Sequence, residues 1–152
     1  MSPKLKDESE PAKKKAKYLF KVTVVGPDDS ILDEVLRVIN ENVVTIDGIR
    51  IGSTEIEAEG TDVRAVTMSP KHTALDVLLT VTFTGTKGVL IIMKEPDPEI
   101  ESIYRDEIHE KTGADIPTRI VFVGDEIEDY QKNELIYNLG ELVEEILEKR
   151  KK

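Results

Sequence analysis

The chain has no cysteine, which excludes disulfides, thiolate nucleophiles and cysteine-ligated metals and agrees with a reducing compartment. Long hydrophobic runs are also missing. The longest clean apolar stretch, Val89 to Met93, is far too short to cross a bilayer, and the start has no apolar segment resembling a signal peptide. A cytoplasmic protein without a membrane span is the expectation. Aromatic residues make up only 5% of the chain, while 34% is charged with Glu and Lys interleaved, a composition like that of heat-adapted proteins. Positive charge is in deficit, with a net charge of -10. Residues 1–17 hold six lysines against Asp7, Glu8 and Glu10, so this stretch carries +3 and the remainder -13. Such a body repels nucleic acid.

What is present suffices for one domain: 152 residues, 39% of them hydrophobic. Residues 1–17, rich in Lys, Glu and Pro, have no apolar period and read as a flexible basic tail. A solvated tail explains them better than a docking patch. Residues 18–152 alternate apolar strands with helical patterns. "YLFKVTVVG" (18–26) is a buried strand stopped by Gly26 and Pro27. A helix is predicted from Ser30 to Glu41, with Ile31, Leu32, Val35, Leu36 and Ile39 on one face and Asp28, Asp29 or Ser30 as its cap. Residues 49–68 form a hairpin that turns at Gly60. Residues 69–86 stay open between helix and strand. "KGVLIIMKE" is continuously apolar, as in strands buried on both faces of a parallel sheet. A helix from Pro98 to Lys111 stops at Gly113, with Ile100, Ile103, Tyr104 and Ile108 inward. Strands at 118–126 and 134–138 and a closing helix complete the chain. Tyr18, Phe20, Phe83 and Phe122 read as core. The order implies an α/β domain of three layers: a mostly parallel sheet of about six strands, one antiparallel, with helices on both faces. Ligands bind such sheets at the carboxyl ends of the strands.

Several stretches together resemble the Ras-like small GTPases from Tyr18 onward. They are "YLFKVTVVG", the hairpin "TEIEAEGTDVRAVTM", the segment "TFTGTKGVLIIMKEPDPE", "IPTRIVFVGDEIED" and "YNLGELVEEILEK". The resemblance implies a P-loop-GTPase-like fold. It also implies motifs that this chain replaces.

The phosphate loop G-x-x-x-x-G-K-[ST] wraps phosphates in backbone N–H groups, neutralises them with Lys and holds magnesium by a hydroxyl. Counted from Gly26, the last three places fall on Ile31, Leu32 and Asp33, with Asp28, Asp29 and Ser30 between. A carboxylate within about 4 Å of a polyphosphate costs on the order of 4 kcal/mol at an effective dielectric near 20. The acids can instead take over the helix N-terminus that phosphate occupies in the family. "SPKH", Ser69 to His72, replaces Asp-x-x-Gly, and "DEIE", with Asp125, Glu126 and Glu128, replaces the guanine-reading Asn-Lys-x-Asp. "NLG" (138–140) replaces the late Ser-Ala-Lys loop. Thr45 stands for the switch threonine only across a one-residue gap.

The expectation is therefore a pseudo-GTPase: no enzyme and no cofactor, but a nucleotide-independent protein-interaction module. Its unknown partner would meet an edge strand carrying Ile49, Ile51, Thr54 and Ile56, or the former switch segments. The alternative is a divergent GTPase or other protein binding GTP or GDP with magnesium, reaching phosphate with Ser30, Thr45, Lys71 or Lys87. Asp28, Asp29 and Asp125, with Glu95 and Asp97 nearby, are candidate cation ligands, though solvated carboxylates and helix caps explain them better. His72 has no triad partners in sequence, and His109 falls on the solvent side of its helix.

Overall fold

A computed structural model describes residues 18–151 apart from 41 and 114, so the tail over 1–17 lies outside the described residues. In chain order the elements are β1 (Tyr18–Val25), α1 (Asp29–Ile39), β2 (Val43–Ile46), β3 (Ile49–Ala58) and β4 (Thr61–Pro70). α2 (Asp76–Phe83), β5 (Gly88–Met93), α3 (Pro98–Thr112), β6 (Thr118–Phe122) and α4 (Asp129–Lys151) follow. The sheet runs β2-β3-β4-β1-β5-β6, and only β3 opposes the other strands. This is the six-stranded, mostly parallel α/β sheet expected from the sequence.

Helices cover both faces. Phe20, Val22 and Val24 of β1 and Leu90 and Ile92 of β5 pack on α1 and α4. Val25, Val89, Ile91 and Met93 pack on Phe83 of α2 and Ile108 of α3. All six residues of β5 are buried, which is why its sequence is apolar without alternation. α1 buries the five residues its period predicted, and Gly113 ends α3 in the left-handed region at φ 70°.

The structure corrects the sequence reading in five places. The predicted strand 134–138 lies inside α4, where Leu135, Leu139, Leu142, Val143, Ile146 and Leu147 recur with helical period and are buried. Burying each is worth about 1.5–3 kcal/mol, which outweighs the penalty of about 1 kcal/mol for Gly140 in a helix. The sixth strand is instead β2, joined to β3 by Asp47 (φ 50°) and Gly48 (φ 83°), a two-residue turn with both φ positive.

β2 pairs with Ile49 to Gly52, so Ile49 and Ile51 are not on the edge. Thr54 and Ile56 lie in the half of β3 beyond that pairing. In α3, Ile100, Tyr104 and Ile108 face the sheet, but Ile103 is 60% exposed and lies in an open groove beside α2. Phe122, at the carboxyl end of edge strand β6, is 40% exposed and not core. The open segment 69–86 resolves into the end of β4, a turn, and α2. Among the described residues, no helix is long and apolar enough to cross a membrane.

Candidate functional site

At the carboxyl end of β1 the chain turns at Gly26 into α1. A Cβ on Gly26 would stand 2.3 Å from the Ile92 carbonyl oxygen of β5. Close packing between neighbouring strands therefore requires this glycine without any phosphate. Asp28 caps α1: its Oδ1 accepts a hydrogen bond from the Ile31 N–H at 3.1 Å. That bond, with help from Lys94, holds the Asp28 carboxyl below its ordinary pKa.

The centre of the site is Arg50 of β3, only 1% exposed. Register places Arg50 opposite Ser69 of β4, and strand alternation turns it toward α1. Its Nε donates to Asp33 Oδ1 at 2.5 Å, and Nη2 donates to Asp29 Oδ1 at 2.8 Å and Asp29 O at 3.1 Å. Nη1 donates to the Pro70 carbonyl at 3.3 Å and to Ser69 Oγ at 3.4 Å. Every guanidinium nitrogen thus has an acceptor, which a buried charge requires. Asp29 also receives the backbone N–H of His72 at 3.3 Å and lies 3.0 Å from His72 Nδ1. Burial opposes ionisation of Asp29, yet its bonds to Arg50 and His72 prevail and hold its pKa below the ordinary value.

A second cation closes the other side. Lys94, just past β5, lies 2.6 Å from Asp125 and 3.5 Å from Asp28. These carboxylates raise its pKa, Asp125 most. The turn before α1 is therefore joined to the loop after β6. A cavity of about 260 Å³ beside it is lined by Pro27, Asp28, Lys94, Glu95 and Asp97.

Other predicted site residues are dispersed. Leu32 is core, Ser30 is exposed, and Asp97 caps α3 through the Ile100 N–H at 3.2 Å. Glu126 is exposed, and Glu128 precedes α4, where its N–H donates to Gln131 Oε1 at 3.1 Å. Thr45 is exposed on β2, and the Lys71 N–H donates to the Gly48 carbonyl at 2.8 Å. Lys87 precedes β5, at the opposite end of the sheet from the phosphate position expected of it. His109 is 66% exposed and 3.4 Å from Asp115.

The candidate cation ligands are held by side-chain cations: Asp28 and Asp125 by Lys94, Asp29 by Arg50. Among the described residues no three His, Asp or Glu side chains form a metal cluster. Sequence reasoning missed both cations. The one signal for Arg50 was a lone charge between two isoleucines in "IRIG", at an inward position of a strand. No protein-family model matches the chain, and no curated protein matches it.

Proposed function

We propose that this chain is a pseudo-GTPase: a nucleotide-independent protein-interaction module with a P-loop-GTPase-like fold. The observation that carries the reading is the Arg50 cage. Counted from Gly26, Asp33 stands where the family keeps its magnesium-binding hydroxyl, and Ser69 stands where it keeps the Asp of Asp-x-x-Gly. Arg50 bonds both residues. An internal guanidinium thus takes the place of magnesium, and acids take the place of phosphate ligands. Binding a nucleotide there requires breaking several charge-assisted bonds to a buried cation, each worth about 1.5–3 kcal/mol, and bringing phosphate toward Asp28 and Asp29.

Without a γ-phosphate to order and release them, the former switch segments hold one conformation. Function then lies in surfaces that meet a protein partner in the cytoplasm, such as those segments or the half of β3 around Thr54 and Ile56.

Calorimetry with GTP, GDP and ATP in magnesium, on protein checked for carried nucleotide by extraction and chromatography, tests the proposal. No heat at millimolar ligand and no carried nucleotide is the expected result. Micromolar binding would overturn the proposal in favour of a divergent nucleotide-binding protein.

A further inference from the structure

α2 is apolar around most of its circumference, and its inner side is firmly pinned. Lys21 Nζ donates to the Val81 and Thr84 carbonyls, both at 2.8 Å, and Thr23 Oγ1 donates to the Thr82 carbonyl at 3.2 Å. Phe83 is buried beneath it. The outer side is not covered: Leu75 is 68% exposed, Val77 64% and Val81 52%. Across from Val77 stands Ile103 of α3, the one residue of the predicted inward set that faces out. A helix apolar on its solvent side has a surface made for another body.

Between α2 and α3 runs an open groove of about 560 Å³ with Val77, Leu79 and Ile103 in its lining. Its charges are unequal, with Asp76, Asp106, Glu107 and Glu110 against Lys111. Burial first, and then Glu107 and the more distant Asp29, push the Tyr104 hydroxyl pKa up to about 12. Apolar side chains set among acidic ones, on a protein of net charge -10, complement a helix with an apolar stripe and Lys or Arg along its flanks.

We infer that the α2–α3 groove docks an amphipathic basic helix of a partner protein, with Val77 and Ile103 receiving its apolar stripe and Asp106 and Glu110 its cations. This inference rests on the interaction-module reading and names the partner's chemistry. Nucleotide calorimetry and peptide binding are separate measurements, so either idea can fail alone.

The test uses the full chain and a fluorescently labelled synthetic helix, with Leu at i, i+3, i+4 and i+7 and Lys elsewhere, read by anisotropy at physiological salt. Saturable binding is expected, weakened about tenfold or more by Val77→Ser with Ile103→Ser, and likewise by Asp106→Lys with Glu110→Lys. Glu134→Lys with Glu144→Lys, an equal change of charge on exposed positions of α4, should alter affinity less than about twofold. An equal loss in that control would reduce the binding to bulk charge and overturn the assignment, as would no binding. Competition by a peptide of residues 1–17 would make the chain's own tail the occupant and also overturn it.

Discussion

Arg50 and Asp33, seventeen positions apart in sequence, meet at 2.5 Å and tie the second turn of α1 to a strand two places from β1 in the sheet. The guanidinium is buried and Asp33 is 38% exposed, so the pair is costly to break from either side but not equally. Asp33→Ala leaves Asp29 to balance the charge and should cost about 1–3 kcal/mol. Arg50→Ala should cost about 3–5 kcal/mol, through lost packing and two carboxylates left facing each other. Urea unfolding of both single variants and the double variant should give a coupling of at least about 1 kcal/mol. Simple additivity would mean that the pair is ornamental.

Acid should loosen the same cage. The folded pKa of Asp29 lies below the ordinary 3.8, so its contribution is present above that value and is lost as pH falls through the lowered pKa. Asp28 shifts in the same direction. Stability measured against pH should fall below about pH 4, and Asp29→Asn should flatten that limb while lowering the plateau. Because Asp29 is 37% exposed, the effect should shrink in high salt. An unchanged acid limb in the variant would detach Asp29 from the linkage.

Gly26 separates a fold role from a nucleotide role. With the Ile92 carbonyl 2.3 Å from the site of a new Cβ, Gly26→Ala must shift backbone and should destabilise by about 2 kcal/mol or more. A neutral result in thermal or urea unfolding would overturn the close-packing role of this glycine.

Gly140 offers the opposite sign. It lies within α4, and a Cβ there meets nothing within 4 Å. Gly140→Ala should add about 0.5–1 kcal/mol, seen as a higher urea midpoint at unchanged slope. A loss of stability would mean that α4 is bent or broken at this point.

Much of the fold was legible because its cause is local. The stripe Ile31, Leu32, Val35, Leu36 and Ile39 and the cap at Asp28 specify α1, and the run Val89 to Met93 specifies a strand buried on both faces. Two errors were also local. Asp47-Gly48 is a strong hairpin signal that announces β2, and the spacing from Leu135 to Leu147 is helical, although "ELIYN" taken alone resembles a short strand. The rest needed neighbours. Ile103 has the period of a core residue yet is exposed, in the open groove beside α2.

The amino-acid sequence by itself determined most of the strands and helices, the cap at Asp28, and the presence of the acids Asp28, Asp29, Asp33 and Asp125 in the turns and at the helix start. Tertiary structure alone decided what those groups do. Asp28, Asp29, Asp33, Ser69 and Asp125 are spread over nearly a hundred residues, and their partners Arg50 and Lys94 reach them only when the order β3-β4-β1-β5-β6 brings the strand ends together. Charge pairing depends on distance in space, and sheet register sets that distance.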